Sequence, residues 1–203
     1  MPLARLGYDV TILDPSPAML TKAEQCLSGE PDEVRHRVRL VQAPGEQAEV
    51  ATGGQRFTAV LCHGVLMYVR RPDPLVRALC RCAQPGGIVS VMALNAGTLT
   101  VRPALDRRWA DALAAFEAKV GVLGTDTRGD TVEGLSALLE DSAVDFEAWY
   151  GVWLFTDWLD LPPESTDVAG VAAVELEASV RDPYRQLSRV LHLIGRRTPT
   201  PTP

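Results

Sequence analysis

The sequence lacks the signatures of several large protein classes. Among its 203 residues, no apolar run approaches the roughly 18 residues that a membrane-spanning helix needs. The first residues have neither a basic leader nor a long apolar core, so no secretory signal is predicted. The hydrolase motif GxSxG, the zinc-protease motif HExxH and the phosphate-loop motif GxxxxGK(S/T) are all missing. These absences argue against a membrane protein, a secreted protein and three common enzyme classes.

Cysteine and histidine are also scarce. The four cysteines contain no CxxC pair and the three histidines are scattered, which argues against a zinc site. We therefore predict no metal, and a cytoplasmic protein whose cysteines are reduced and mostly buried. The net charge of −6 and the isoelectric point near 5.1 argue against a generally basic surface that would coat nucleic acid. The cysteines are Cys26, Cys62, Cys80 and Cys82.

The composition that is present, 46% hydrophobic and 23% charged, suits a single globular domain of this length. In the first half of the chain, β-rich runs alternate with helical patterns, which favours a parallel α/β sheet. Ser16 and Pro17 are typical of a helix start, and Pro85-Gly86-Gly87 is typical of a helix end. The nearly continuous apolar run 57–62 indicates a strand buried on both faces. The predicted strands are 8–14, 38–41, 57–62 and 88–94, with helices from Ser16 and from Asp73.

The pattern changes in the second half of the chain. Apolar residues at helical spacing predict one amphipathic helix over 103–120, followed by a polar, glycine-rich loop over 121–130. Two strands near the end, joined by a helix, predict an antiparallel edge. We predict one domain over 1–197, with a helical lid or insertion over 100–140 and a disordered tail over 198–203. The later elements are a helix over 131–139, a strand over 146–155, a helix over 167–181 and a strand over 190–195.

Ligands of open α/β sheets bind beyond the carboxyl ends of the strands, so the polar residues there are the candidates for a site. Asp14 ends the first strand, where it either accepts hydrogen bonds from a ribose diol or forms an Asx turn ahead of a helix. His63 either contacts a ligand or acts as a base, or it is a hydrogen-bonded structural residue. Asn95 either faces a substrate or binds the backbone of its own loop.

Three segments carry a resemblance to a known family. Residues 3–20, 57–69 and 84–91 resemble the second-strand segment, the fourth-strand motif, and the turn and fifth strand of class I S-adenosylmethionine (SAM)-dependent methyltransferases. They occur in the order and spacing of that family. The resemblance implies a Rossmann-like α/β sheet, mostly parallel with an antiparallel carboxy-terminal edge, and a helical insertion after the fifth strand. It implies S-adenosyl-L-methionine as the cofactor.

The remainder is similar to the bacterial tRNA 5-carboxymethoxyuridine methyltransferase branch of that family, on residues 91–96, 150–157 and 182–192. By this resemblance, Asp14 binds the ribose hydroxyls and Ser16 and Met19 flank the adenosine. The resemblance also implies that Glu46 or Gln47 lies near the adenine. The implied cofactor site consists of Asp14, Pro15, Ser16, Met19, Gly45, Glu46, Gln47, His63 and Gly64.

The same resemblance implies that His63 and Gly64 line the methionine end of the cofactor, with His63 as the candidate catalytic base. The helix over 103–120 and the loop after it would cover the acceptor pocket. The aromatic side chains of Trp109, Trp149, Tyr150 and Trp153 either stack on a flat acceptor or pack in the core or a lid. The implied acceptor-binding residues are Asn95, Tyr150, Trp153 and Arg189.

The sequence departs from the family at two places. The glycine-rich first motif, with the strand that is central in the family's sheet, does not precede Gly7, so the strands that begin near Tyr8 and Phe57 lose a ladder partner. We expect Met1 to be an internal start of a longer protein; the chain is otherwise a remnant that binds SAM poorly. Trp153 stands where the tRNA-modifying relatives carry an arginine that could pair with a substrate carboxylate.

The function predicted from the sequence is transfer of a methyl group from SAM to a small molecule or a modified tRNA nucleoside, in a protein that forms a homodimer. The alternative is a non-catalytic, methyltransferase-like fragment or partner subunit with weak or no SAM binding. A nicotinamide-binding Rossmann domain is a weaker interpretation, because its glycine fingerprint is also missing.

Overall fold

The computed structural model describes residues 1–117, 120–122, 126–157 and 167–199. Eight strands and nine α-helices lie within these residues. The strands are β1 Val10–Asp14, β2 Val38–Gln42, β3 Phe57–His63, β4 Ala83–Asn95, β5 Val120–Val122, β6 Asp126–Asp130, β7 Val144–Val152 and β8 Val190–Arg197. The helices are α1 Pro2–Arg5, α2 Pro17–Ser28, α3 Asp32–Arg35, α4 Ala48–Ala51, α5 Asp73–Cys82, α6 Val101–Leu105, α7 Trp109–Ala115, α8 Val132–Glu140 and α9 Val168–Ser179.

The first half of the chain follows the predicted alternation of strands and helices. Strand β1 pairs in parallel with β2, and the Ser16 hydroxyl caps α2 by accepting a hydrogen bond from the backbone N–H of Met19. Strand β3 pairs in parallel with β4. Helix α5 begins at Asp73, as predicted, although no side chain caps it. The predicted end of this helix is displaced, since it stops at Cys82 and Pro85-Gly86-Gly87 lies inside β4.

The predicted antiparallel edge is confirmed. Strand β8 runs antiparallel to both β4 and β7, so β4 is paired along one edge with β8 and along the other with β3 and then β6. Helix α9 connects β7 to β8, and the Asp167 side chain caps it by accepting a hydrogen bond from Gly170 N–H. Strands β3 to β8 thus form the larger sheet, parallel around β3 and β4 and antiparallel toward the carboxy terminus, and β1 and β2 form a separate small sheet.

The prediction of one helix over 103–120 is wrong. Two short helices, α6 and α7, replace it, with Arg107 between them at a φ of 57° that no helix accommodates. The described side chains of the predicted apolar face are exposed, with Leu113 at 72%; they are Leu105, Trp109, Leu113 and Phe116. The prediction of a glycine-rich loop over 121–130 is also wrong, because β5 and β6 pair there as antiparallel strands. Residues 123–125 lie outside the described residues.

The hydrophobic core lies on one face of the larger sheet. Helices α5 and α8 cover that face, with Leu75, Leu79, Leu135 and Leu139 packed against Val91 and its neighbours. Helix α8 is therefore a core helix rather than part of a helical lid over 100–140.

Of the cysteines, all reduced, three are buried and Cys26 is exposed. The predicted disordered tail is described only to residue 199, where Thr198 N–H donates to Ala143 O at 3.0 Å; 200–203 lie outside the described residues.

The opposite face of the sheet is open along β3. The prediction that this strand is buried on both faces is wrong, since Ala59 is exposed and Leu61 is 49% exposed. Within the described residues, β3 pairs only with β4 and β1 pairs only with β2, so each has one edge without a ladder partner. This matches the expectation that both strands would lose a neighbour.

Candidate functional site

The carboxyl end of β1 presents Asp14 in a local turn. Its Oδ1 atom accepts a hydrogen bond from Ser16 N–H at 2.8 Å, which is the Asx-turn arrangement, and this turn leads directly into α2. Among the described residues, none donates a hydrogen bond to Oδ2, so that oxygen remains able to accept one from a ligand. The two interpretations of Asp14 are therefore compatible, since each uses a different oxygen.

The carboxyl end of β2 lies beside Asp14. Gln42 is opposite Asp14 in the strand register, and the Asp14 carbonyl accepts a hydrogen bond from Ala43 N–H at 3.3 Å. The chain then forms a 3-10 turn over Gly45–Gln47, with Glu46 and Gln47 exposed. A side chain at Gly45 would place its Cβ 2.4 Å from Leu75 Cδ1, so glycine allows this turn to lie close against α5. The fold therefore brings the predicted adenine-side residues to the Asp14 end of the small sheet.

The carboxyl end of β3 presents His63 and then Gly64, whose φ of 69° favours glycine. A Cβ at Gly64 would meet no atom within 4 Å among the described residues, so the space beside it is open. His63 Nε2 lies 2.8 Å from Ser90 Oγ, and His192 Nε2 lies 2.8 Å from the same oxygen. The Tyr150 and His192 rings are 5.9 Å apart between centroids. Sequence reasoning missed Ser90 and the link to His192, because only the register of three strands joins them.

Burial governs the protonation of the two histidines. Partial burial lowers the pKa of His63 below its ordinary value. Burial also lowers the pKa of His192, and the positive charge that His63 can carry lowers it further. Both rings are therefore neutral at pH 7, so each has one nitrogen that can accept a proton.

Asn95, at the carboxyl end of β4, binds both its own loop and the loop that precedes β8. Its side-chain NH₂ group donates to the carbonyls of Gln186 and Ser188 at 3.1 and 2.8 Å, and its Oδ1 accepts from Gly97 N–H at 2.9 Å. The bond from Gly97 agrees with the second of the two interpretations drawn from the sequence, whereas the bonds to Gln186 and Ser188 were not expected. Asn95 is buried. Direct contact between its side chain and a methyl acceptor stays a prediction.

Two partly buried ion pairs flank Asn95. Arg189 pairs with Asp157, and Arg128 pairs with Asp130, which is opposite Asn95 in the β6–β4 register. Burial raises the pKa of Asp130, against the effect of Arg128. One carboxylate oxygen of each acid is buried without a hydrogen-bond partner among the described residues. Arg189 is therefore already engaged by a carboxylate where an acceptor is expected.

The predicted aromatic residues lie apart. Trp149 packs against the core and stacks under the Arg185 guanidinium at 4.4 Å. Trp153 is exposed at a φ of 59°, and Trp109 is exposed on α7. Tyr150 lies beside the histidine pair and is the one of the four that adjoins the His63 end of the sheet.

Metal clusters and membrane-spanning helices are both absent from the part of the chain that the structure describes. Within it, no group of three or more His, Cys, Asp or Glu side chains is arranged to hold a metal ion. No helix in the same residues has both the length and the apolar character needed to cross a membrane.

Comparison with known proteins gives a consistent pattern. Residues 1–91 match the family described as "Methyltransferase domain". The ubiquinone biosynthesis O-methyltransferase of Methylobacterium nodulans is 34% identical over 94 residues, which are 46% of this chain and 35% of that protein. The tRNA 5-carboxymethoxyuridine methyltransferase of Escherichia coli K12 is 25% identical over 199 residues, which are 96% of this chain and 74% of that protein. The chain thus spans about a third of the first relative and about three quarters of the second.

Solved structures show the same fold. The glycopeptide N-methyltransferase MtfA, complexed with S-adenosyl-L-methionine, superposes on 98% of this chain with a TM-score of 0.58 at 14% identity, and 81% of its own length is covered. At this identity, the likeness concerns the fold rather than the reaction.

Proposed function

We propose that this chain, whose residues 1–91 match the family described as "Methyltransferase domain" and whose fold is that of solved SAM-dependent methyltransferases, transfers a methyl group from SAM to an acceptor. The observation that carries the proposal is the Asp14 carboxylate at the end of β1. Its Oδ2 atom has no hydrogen-bond donor within the described residues, and the β2 end and the Gly45–Gln47 turn lie beside it.

The residues present fit the adenosine half of the cofactor. A carboxylate is a strong hydrogen-bond acceptor for a ribose diol, and Asp14 supplies one; the exposed Met19 on α2 is available to pack against the adenosine. Glu46 and Gln47 are exposed and offer polar groups to an adenine amino group. At the other end, Gly64 leaves space beside His63 for the methionine part. When bound, the cofactor supplies an activated methyl group, and the protein contributes alignment and exclusion of water.

The acceptor would lie beyond the carboxyl ends of β3 and β4 and the amino end of the antiparallel β8, where His63, Asn95 and Arg189 are found. A small molecule and a modified tRNA nucleoside are both candidates, since the relatives that support the proposal are named for one class or the other. Arg189 is paired with Asp157, so recognition of an anionic acceptor by this residue would require exchange of that partner. We place the protein in the cytoplasm, as a homodimer, within the same proposal.

A second candidate function is that of a partner subunit without catalysis. The open edges of β1 and β3 favour it, because unpaired strand edges can pair with another chain. Such a subunit would not need the Asp14 carboxylate for its role.

Calorimetric titration of S-adenosylhomocysteine separates the two functions. We expect saturable binding that falls by about 10-fold or more in Asp14→Ala, because the charge-assisted hydrogen bond that Oδ2 would accept from the ribose is worth about 1.5–3 kcal/mol. Asp9→Ala is the matched control, since Asp9 is an exposed acid just before β1 that pairs with Arg37. Binding that is equal in all three proteins would contradict the proposed role of Asp14.

A further inference from the structure

A row of polar side chains crosses the open face of the larger sheet. His63, Met92, His192 and Tyr150 are opposite one another in the registers of β3, β4, β8 and β7, so their side chains share one face. Ser90 is two residues from Met92 and therefore lies on that face as well. The row joins residues from positions 63, 90, 150 and 192, which explains why no local pattern reveals it.

The Ser90 hydroxyl constrains the two histidines. It has one proton, it is 5% exposed, and both Nε2 atoms lie 2.8 Å from its oxygen. If both nitrogens were without a proton, one would face the oxygen's lone pair. If both carried a proton, the serine proton would need a third acceptor, and the described residues offer none. The satisfied arrangement has one Nε2 that donates to Ser90 and one that accepts from it.

The two ends of this row differ in access. His63 is exposed, ends β3 and adjoins the open space at Gly64. His192 is half-buried, with the His63 ring 5.3 Å away on one side and Tyr150 on the other. A ligand beyond the carboxyl ends of the strands therefore reaches His63 first. Its Nδ1 atom has no hydrogen-bond partner among the residues that the structure describes.

We propose that Ser90 and His192 form a proton relay behind His63, and that the site takes an acceptor with a neutral hydroxyl group rather than an ionised carboxylate. This inference rests on the proposed function and adds the chemical class of the acceptor. Ser90 and His192 are positioning residues, and His63 is the residue that touches the acceptor.

Atoms and charges balance along the relay. The acceptor oxygen forms a bond to the methyl carbon of SAM, the carbon–sulfur bond breaks, and its electron pair stays on sulfur. The acceptor proton moves to His63 Nδ1, the His63 Nε2 proton moves to Ser90 Oγ, and the Ser90 proton moves to His192 Nε2. The positive charge lost at sulfur reappears on His192. A carboxylate acceptor has no proton to give, so the relay would serve no purpose for it.

Few other charges face the pair. On the same face of β3, β4, β7 and β8, the remaining titratable or charged side chains are Tyr150, Arg196, Asp145 and Glu147, and Arg196 is paired with Glu147. The histidines therefore act mainly on each other, and we expect their protons to leave in two coupled steps.

The test is ¹⁵N NMR of the histidine side chains at pH 7.5, which reports the tautomer of each ring in the unmodified protein. Only three histidines are present, and His36→Gln identifies the third, which is exposed next to α3 and binds Asp32 O. We expect His63 in the Nε2–H form and His192 in the Nδ1–H form. Two rings in the same tautomer, or His63 in the Nδ1–H form, would overturn the proposal.

Two variants and one ligand complete the test. Ser90→Ala should leave each ring in a mixture of its two tautomers, because the hydroxyl that fixes them is gone, whereas Ser28→Ala, at an exposed serine on α2, should leave the tautomers unchanged. Independent titration in the unmodified protein would overturn the relay. S-adenosylhomocysteine should shift the His63 resonances but not those of His36. Opposite tautomers without any response to this ligand would refute the proposed function and with it the acceptor class, whereas a response with identical tautomers would refute the relay alone.

Discussion

Glu175 holds the chain segment that follows β7. From α9, its carboxylate accepts hydrogen bonds from Leu154, Phe155 and Thr156 N–H at 3.0, 2.8 and 2.8 Å. The Leu154 and Thr156 groups are partly buried, and the Phe155 group is exposed to water. Removal of the carboxylate therefore leaves two donors that water does not easily satisfy.

The expected cost follows from those two donors. An unsatisfied, buried donor costs about 1–3 kcal/mol, so Glu175→Ala should lower the free energy of unfolding by about 2–6 kcal/mol. Glu175→Gln keeps Oε1 for Phe155 and Thr156 but directs an NH₂ group at Leu154 N–H, so its loss should be about 1–2 kcal/mol. Urea unfolding, followed by tryptophan fluorescence, measures both values.

The pH dependence provides a second check on Glu175. Burial raises its pKa, but the backbone N–H groups of Thr156 and Leu154 together lower it more, so the pKa lies below its ordinary value. A lowered pKa in the folded state stabilises the protein above the unfolded pKa of about 4.3, and this contribution is lost as the pH falls through the folded pKa. The difference between the unmodified protein and Glu175→Gln should therefore be constant near pH 7 and shrink in acid.

Glu177→Gln is the matched control on the same helix. Glu177 and its ion-pair partner Arg181 are both largely exposed, so the urea midpoint of Glu177→Gln should equal that of the unmodified protein. If Glu175→Gln and Glu177→Gln unfold at the same urea concentration, the argument from the three backbone donors is wrong.

Three further predictions concern the core, the cysteines and the candidate base. Leu139→Ala should cost about 2–5 kcal/mol in urea unfolding, since Leu139 is 1% exposed, whereas Leu113→Ala should leave the midpoint unchanged. Iodoacetamide at pH 8 should modify Cys26 alone in the native protein, because burial raises the pKa of Cys62 to about 11; modification of all four cysteines before unfolding would contradict this. With a methyl acceptor in hand, His63→Gln should lower kcat by about 10²–10⁴-fold without weaker binding of S-adenosylhomocysteine, and an unchanged kcat would exclude His63 as the base.

Local signals accounted for much of the fold. The Ser16 cap, the parallel strand pairs and the antiparallel edge could all be predicted from residues that are close in sequence. The helical spacing over 103–120 was present too, but the left-handed conformation at Arg107 divides that segment. The spacing of apolar residues identifies one face of a helix. It does not reveal a break in the backbone when two consecutive helices continue the same spacing.

The candidate site could be predicted only in part. Asp14 and His63 are recognisable because they follow strands directly, and ligands bind at such strand ends. The link from His63 through Ser90 to His192 depends on the pairing of three strands separated by up to 102 residues. The hydrogen bonds of the Asn95 side chain also depend on distant parts of the chain, because the carbonyl groups that accept them belong to residues more than 90 positions away.

The most direct test of the methyltransferase account is calorimetric binding of S-adenosylhomocysteine to the 203-residue chain, and to any longer chain translated from the same reading frame. A SAM-dependent methyltransferase should bind saturably in at least one of these forms, with a loss of about 10-fold or more in Asp14→Ala and none in Asp9→Ala. The absence of binding in every form would contradict the account and favour a partner subunit without catalysis.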